Sequence, residues 1–238
     1  MLKNHLTSNI NQEIYYKLSC IINVCYFVGQ PRTLILADSL TKNFFLMSNT
    51  RVITRRGGIP KKLIEYVRNR PDKFKGYKVI ILHVGTNWLS KKEEWALYLR
   101  MVNGQFTKEE YTAELAKLNP PPAIGDANRF REEYQELVDL IRNINRQATI
   151  LVSAIIPRLW DNKRRFHIRN TYNRMLKEFN SQPNIFFIPS DWPFFTKSHD
   201  LKSDLFDYDG LHLSSKGAVV LRTFFCEKID KALKNVLK

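Results

Sequence analysis

Short runs of apolar residues separated by amphipathic segments constrain the fold of this chain more than any other feature. Five such runs lie at residues 33–37, 51–54, 78–84, 149–155 and 185–188. Most of them are apolar along nearly their whole length, which is typical of strands buried on both faces of a sheet. Helices separate strands of this kind in parallel sheets. The sequence therefore predicts an α/β fold, with a five-stranded parallel sheet in a three-layer α/β/α sandwich.

The helices are predicted from apolar residues that recur at helical spacing. In the segment 60–70, Leu63, Ile64 and Val67 form one apolar stripe, and Pro60 suits the first turn of a helix. The same spacing predicts helices at 128–145, at 164–179 and from 214 or 215 to about 237. These helices alternate with the strands, as the three-layer arrangement requires.

The segment from about 90 to 126 is longer than an ordinary connection between a strand and a helix. It contains predicted helices at 91–102 and 107–118, and Thr107 and Glu110 match a capping box. We interpret it as a helical insertion at the rim of a single domain that spans 31–238. It either decorates the surface or forms a lid, since it follows the carboxyl end of a strand. Residues 1–30 show no clean period and are expected to form an N-terminal extension.

The composition narrows the classes of protein to which the chain can belong. Three cysteines in 238 residues exclude a disulfide-dense scaffold, and no Cys or His cluster suggests a metal site, so neither metal nor cofactor is expected. The apolar run at 18–28 is shorter than the roughly 20 residues that a membrane-spanning helix needs. A signal peptide is the alternative to a packed extension. Because no small-residue cleavage site follows, an intracellular, cytoplasmic protein is expected.

Polar residues that suit catalysis follow the predicted strands at the point where each strand ends. Ser39 comes after the first strand, Gly57–Gly58 after the second and Asn87 after the third, while Asp209 and His212 precede the last helix. Ligands of open parallel sheets bind at the carboxyl ends of the strands. A serine, a histidine, an aspartate and donors for an oxyanion are the components of a serine hydrolase.

Four sequence blocks in this order resemble the SGNH (GDSL-like) hydrolase superfamily. The blocks read LADSL at 36–40, RGG at 56–58, VGTN at 84–87 and DGLH at 209–212, and the resemblance covers about residues 31–236. It implies a flavodoxin-like SGNH fold and a serine esterase without cofactor, acting on an acyl or acetyl ester of a small molecule, lipid or carbohydrate. A narrower resemblance is to the esterase-like domains in open reading frames of non-LTR retroelements. Those also tend to carry HVGTN (83–87) and Pro-Arg after the fourth strand (157–158).

Each block implies a role in ester hydrolysis. Ser39 is the expected nucleophile, His212 the base that accepts its proton, and Asp209 the carboxylate that orients the imidazole. The oxyanion hole is expected to comprise the Ser39 N–H, the Asn87 amide and a glycine N–H. That glycine is either Gly57 or Gly58, since the spacing does not separate the two.

The chain departs from the family pattern at two positions, Ala37 in place of the usual glycine and Trp88 in place of the usual aspartate. We expect Ala37 to reshape the nucleophile turn slightly and Trp88 to line the substrate pocket. Asp38 is interpreted as a cap of the turn, and His83 as a histidine of the core.

Basic residues form a second pattern, because Lys and Arg exceed Asp and Glu by 15. One cluster follows the fourth strand and includes Arg164 and Arg165, for which contact with nucleic acid is predicted. The alternative function is therefore a catalytically weak module that binds RNA or DNA; an anionic membrane surface is a further possible partner. A solubilising surface would produce the same charge. The oligomeric state is not predicted.

Overall fold

The computed structural model describes residues 32–41, 44, 47, 49–89, 92–118 and 124–236, so the predicted extension at 1–30 lies outside the described residues. Its strands are β1 (Thr33–Ala37), β2 (Thr50–Thr54), β3 (Val79–His83), β4 (Thr149–Ser153) and β5 (Ile185–Ile188). They form one sheet in the order β2-β1-β3-β4-β5, and every neighbouring pair is parallel. The prediction of a five-stranded parallel sheet is confirmed.

The helices and the two main cores form the three predicted layers. The helices are α1 (Pro60–Arg68), α2 (Thr86–Leu89), α3 (Lys92–Val102), α4 (Lys108–Leu118), α5 (Ile124–Ile144), α6 (Lys163–Lys177) and α7 (Ser215–Val236). One core packs α1, α5 and α6 on the sheet through side chains such as Leu63, Leu137 and Tyr172. The other packs α7 on the opposite face through Leu221 and Phe225. Every residue of β1, β3 and β4 is buried because helices cover both faces.

Parallel pairing aligns the ends of the strands that carry the candidate residues. Ala37, the last residue of β1, pairs with Thr54 of β2 and with His83 of β3. The chain segments that follow these three strands therefore leave the sheet side by side. No helix in the described part of the chain is long and apolar enough to cross a membrane.

Most helices end within two residues of the predicted bounds, and two helices differ more. Helix α5 begins at Ile124, four residues before the predicted start. Gly125 lies in its first turn, where the backbone N–H groups have no helical partners, so a glycine costs little stability there and does not interrupt the helix. The single turn α2 was not predicted. It starts after Gly85, whose φ is +139° and whose carbonyl accepts bonds from the N–H groups of Trp88 and Leu89.

Candidate active site

Ser39 lies in a short 3₁₀ turn, Ser39–Thr41, directly after β1. Asp38 holds this turn: its Oδ1 accepts the Leu40 N–H at 3.1 Å, and its own N–H donates to the His83 carbonyl at 3.2 Å. The interpretation of Asp38 as a turn cap is confirmed by these bonds. One bond thus fixes the shape of the turn that carries Ser39, and the other attaches this turn to the neighbouring strand β3.

Ser39, His212 and Asp209 meet at the carboxyl edge of the sheet. His212 Nε2 lies 3.2 Å from Ser39 Oγ, and His212 Nδ1 lies 2.6 Å from Asp209 Oδ2. The second oxygen of Asp209 accepts the N–H groups of Leu211 and His212 at 3.0 and 2.9 Å, which holds the carboxylate inside its own loop. The histidine and aspartate side chains are 17% and 13% exposed, so water reaches the site but does not fill it.

Hydrogen bonds set the charge of Asp209. Burial by itself would raise the pKa of this carboxyl, but bonds from the His212 ring and from the His212 and Leu211 N–H groups lower the pKa to about 2. Asp209 is therefore ionised at neutral pH and can accept a hydrogen bond from His212 Nδ1–H. With Nδ1–H as the donor to Asp209, Nε2 is the ring nitrogen that faces Ser39 Oγ.

The two glycines and Asn87 lie next to the nucleophile turn. The Gly58 N–H donates to the Arg55 carbonyl at 3.0 Å and closes a turn, and Gly57 within that turn has φ +63°. A Cβ at Gly58 would lie 2.9 Å from the Arg55 oxygen and 3.5 Å from Asp38 Cα, so the glycine permits close packing there. Asn87 Nδ2 donates to the Gly58 carbonyl at 3.3 Å. The segments after β1, β2 and β3 are thus in mutual contact.

Asp38, the residue before Ser39, has a strongly raised pKa. Burial raises the pKa of this carboxyl to about 7, although the Leu40 N–H, the charge of His212 and the Thr86 N–H each lower it. The side chain is 1% exposed. Near neutral pH the group is therefore poised between its charged and neutral forms.

His83 belongs to the core, as the sequence interpretation expected. Its Nδ1 lies 2.7 Å from Ser153 Oγ, which in turn lies 2.6 Å from Ser190 Oγ. Burial lowers the pKa of His83 to about 4, so the ring is neutral at physiological pH.

Trp88 packs on the layer of α1, α5 and α6. Its ring lies 5.5 Å from that of Phe130, and the Arg129 guanidinium lies 5.7 Å from its centroid. Core packing accounts for this tryptophan, and its place in the substrate pocket stays a prediction.

Arg164 and Arg165, the two residues predicted to contact nucleic acid, lie in different environments in the structure. Arg164 is exposed, whereas Arg165 is 6% exposed and forms an ion pair with the fully buried Glu94 of α3. The expectation for Arg165 is therefore corrected, because this charge faces the insertion instead of an open surface. Its burial arises because α3 packs on α6, a contact that sequence periodicity does not reveal.

Sequence reasoning missed the packing of the insertion on the loop of Asp209 and His212. Tyr98 and Tyr111 of the insertion form one buried cluster with Trp160 and Leu211. A Cβ at Gly210 would lie 2.8 Å from the Tyr98 ring. Burial and the charge of Asp209 raise the pKa of Tyr98, so the phenol stays neutral. In the sequence, the aromatic residues at 95, 98 and 111 are the feature that could have indicated this packing.

No group of three or more potential metal ligands occurs in the described ranges. The candidate site brings together hydroxyl, imidazole, carboxylate and amide groups beside backbone N–H donors. This set suits acyl transfer at a carbonyl carbon.

Comparisons with known proteins agree with this chemistry. A family model described as the GDSL-like lipase/acylhydrolase family matches residues 47–220. A GDSL-like lipase from Bacteroides thetaiotaomicron superposes with a TM-score of 0.59 at 12% identity, covering 91% of this chain and 98% of that one. A lipase from a goat rumen metagenome gives 0.56 at 15% identity, with 82% and 95% covered.

A catalytic mutant of an acetylxylan esterase from Geobacillus stearothermophilus gives a TM-score of 0.55 at 14% identity, with 85% and 95% covered. At these identities the structures show a shared fold. A comparison with curated protein sequences found no match. The family model covers most of the chain, and on that ground the protein belongs to the GDSL-like lipase/acylhydrolase family, whose members are hydrolases that act on esters.

Proposed function

We propose that this protein is a serine esterase that cleaves a carboxylic ester through Ser39, His212 and Asp209. The proposal rests on two consecutive contacts at hydrogen-bond distance: Ser39 Oγ with His212 Nε2, and His212 Nδ1 with Asp209 Oδ2. A serine hydroxyl is a weak nucleophile by itself and needs an adjacent base that a third group orients. The three side chains stand in that relation at the edge where ligands of parallel sheets bind.

Acylation begins when Ser39 Oγ attacks the carbonyl carbon of the ester and its proton passes to His212 Nε2. The tetrahedral intermediate then collapses, and the imidazolium returns that proton to the departing alkoxide. An alcohol leaves, and the acyl group stays on Ser39. Water repeats the sequence: it gives a proton to His212, attacks the acyl carbon, and releases the carboxylic acid and the free serine. Asp209 stabilises the imidazolium and does not itself take up a proton.

The oxyanion of each intermediate needs N–H donors. The N–H of Ser39 and that of Gly57 have no intramolecular acceptor in the described part of the chain, whereas the Gly58 N–H is bonded to Arg55. We therefore assign the glycine donor to Gly57. The Asn87 amide supplies the third donor, because its Nδ2 already lies against the same turn. Donors of this kind are each worth about 3–4 kcal/mol in the transition state.

The experiment that tests this function compares the wild type with Ser39→Ala on p-nitrophenyl acetate and on a longer acyl homologue. Turnover that depends on Ser39 is expected, and the ratio of kcat/KM for the two esters defines the acyl class, acetyl or longer. Equal rates for the two folded proteins would contradict the proposal.

The alternative of an RNA- or DNA-binding module rests on net charge and on the basic cluster after the fourth strand. Arg158, Arg165 and Arg169 are all buried, which removes three cations from the surface that the sequence had suggested. The esterase is therefore the function we favour. The narrower resemblance to retroelement domains, the division into an extension and a domain, and the intracellular location stay predictions from the sequence.

A further inference from the structure

Arg158 is a buried arginine in the loop after β4 and contacts two parts of the candidate site. Its residue exposure is 2%. Nε and Nη2 donate to Asp161 Oδ1 at 2.8 and 2.6 Å, and the Arg158 N–H donates to Asp161 Oδ2 at 3.1 Å. The Asp161 carboxylate is 3% exposed, so the pair is shielded from water on both sides. Such a pair is rigid, because a planar guanidinium held at several atoms has little freedom to turn.

Towards the oxyanion side, Arg158 holds helix α2. Its Nη1 donates to the Leu89 carbonyl at 3.1 Å. Leu89 is the last residue of the single helical turn that also contains Asn87. The final carbonyls of a helix have no partner within it, and a cation bonded there fixes the end of the turn. A turn of four residues has few bonds of its own, so this external bond adds to the Gly58 carbonyl contact in holding Asn87 in place.

Towards the acid–base side, the same loop holds the segment of Asp209 and His212. The N–H of Leu159, the residue after Arg158, donates to the Gly210 carbonyl at 2.9 Å. Trp160 extends the contact: the Arg158 guanidinium lies 5.2 Å from its ring centroid, and the ring packs with Leu211 and Tyr98. The loop of Asp209 and His212 is therefore held between residues 159–160 and helix α3.

We propose that Arg158 is a positioning residue for ester hydrolysis, which rests on the function proposed above. It holds Asn87 through the Leu89 carbonyl and the Asp209–His212 loop through its neighbour Leu159. The buried guanidinium thus acts on the side of the oxyanion donor through the Leu89 carbonyl and on the side of the base through the Trp160 ring. Both groups act on a transition state whose geometry tolerates little error, since a displacement of about 1 Å costs on the order of 100-fold in rate.

Replacing Arg158 tests this role, provided that stability is separated from positioning. Arg158→Met leaves the Asp161 charge buried, so it is expected to lower Tm as well as kcat. In the double variant Arg158→Met/Asp161→Leu both charges of the pair are gone, and exchange of a buried ion pair for apolar residues of similar volume is often neutral for stability. Arg169, whose Nε lies 3.9 Å from Asp161, keeps its ion pair with Asp191 at 3.2 Å in that variant. The bond to the Leu89 carbonyl stays lost in that variant. We expect its Tm to return towards the wild-type value, while kcat stays about 10- to 100-fold low and KM changes little.

Two further variants complete the design. Asn145→Ala is a matched control for destabilisation, because Asn145 Nδ2 bonds the Phe74 and Tyr77 carbonyls ahead of β3, at the opposite edge of the sheet. It is expected to lower Tm and leave kcat per folded molecule unchanged. Arg158→Lys keeps the charge but cannot bond Asp161 and the Leu89 carbonyl with one planar group. It should fold and show a reduced kcat, which keeps the test open if the double variant does not fold.

The measurements are Tm, kcat and KM on p-nitrophenyl acetate, at a temperature where each variant is folded by circular dichroism. Recovery of kcat together with Tm in the double variant, or wild-type kcat in folded Arg158→Lys, would overturn the positioning role. Failure of the esterase function is a different result: the wild type would then show no Ser39-dependent turnover at all.

Discussion

His212 Nε2 and Ser39 Oγ lie 3.2 Å apart although 173 positions separate the two residues in the chain. The sheet produces this proximity, because β1 lies inside the sheet between β2 and β3 and the segment before α7 returns to the carboxyl end of β1. Neither residue could be held there by its own loop alone. Asp38 fixes the serine turn from one side, and Asp209 fixes the histidine from the other.

Asn87→Ala removes the side-chain donor of the proposed oxyanion hole. We expect kcat to fall by about 10²–10³, with KM nearly unchanged, because the bond is made mainly in the transition state. Steady-state kinetics on p-nitrophenyl acetate measures both constants. A variant that raised KM and kept kcat would show that Asn87 binds substrate and does not stabilise the oxyanion.

The two glycines should respond differently to substitution by alanine. Gly58→Ala places a methyl group 2.9 Å from the Arg55 carbonyl and against Asp38, so the turn beside Ser39 must shift. Gly57→Ala meets only the Lys62 amine at 3.7 Å; its penalty is the positive φ, on the order of 1–2 kcal/mol of stability. Because alanine retains the N–H, we expect Gly57→Ala to lower Tm modestly and keep most of kcat. Gly58→Ala should lower kcat more, and equal losses of kcat would contradict this account of the turn.

Asp209→Asn keeps the shape of the triad but changes its proton arrangement. An amide opposite His212 Nδ1 favours the tautomer with the proton on Nε2, which cannot accept the serine proton. We expect kcat to fall by about 10⁴ while circular dichroism stays unchanged. Asp209→Glu is the companion variant: it keeps the charge and should lose less. A rate for Asp209→Asn within tenfold of the wild type would remove Asp209 from the mechanism.

The raised pKa of Asp38 makes stability depend on pH. The carboxyl has a pKa of about 7 in the folded protein and about 3.9 in an unfolded chain, so the folded state binds more protons between these values. This group therefore lowers stability as pH rises from about 4 to 7. Asp38→Asn does not titrate, and its free energy of unfolding relative to the wild type should increase between pH 5 and pH 8. Urea unfolding at the two pH values measures this difference, and a difference independent of pH would refute the shift.

Much of the fold and of the candidate site is predictable because the residue pattern of each segment matches the place of that segment in the fold. Strands buried on both faces are uniformly apolar, which identified β1 to the residue. The edge strand β5 was also identified to the residue, although Phe186 in it is 50% exposed. The capping box also formed as expected: the Thr107 N–H bonds Glu110 Oε2 at 2.8 Å, and the Glu110 N–H bonds Thr107 Oγ1 at 3.1 Å. The first three candidate blocks were recognisable because each follows the end of a strand, and the fourth because it precedes the last helix.

Long-range burial of charge was not predictable. Arg165 lies in a basic run that is typical of an exposed surface, yet Glu94, about 70 positions earlier, pairs with it inside the protein. Likewise, nothing near Arg158 in sequence indicates the Leu89 carbonyl to which it bonds. Such pairs depend on how the insertion packs on α6 and the loop after β4, and a periodic pattern carries no information about that packing.

The most direct test of the mechanism is covalent labelling of the nucleophile. A fluorophosphonate reacts with a serine whose hydroxyl is activated by an adjacent base, and peptide mass spectrometry locates the adduct. We predict one adduct per chain on Ser39, none in Ser39→Ala, and labelling of His212→Ala slowed by orders of magnitude. An adduct on another residue, or labelling of Ser39 at the same rate without His212, would contradict the proposed catalytic site.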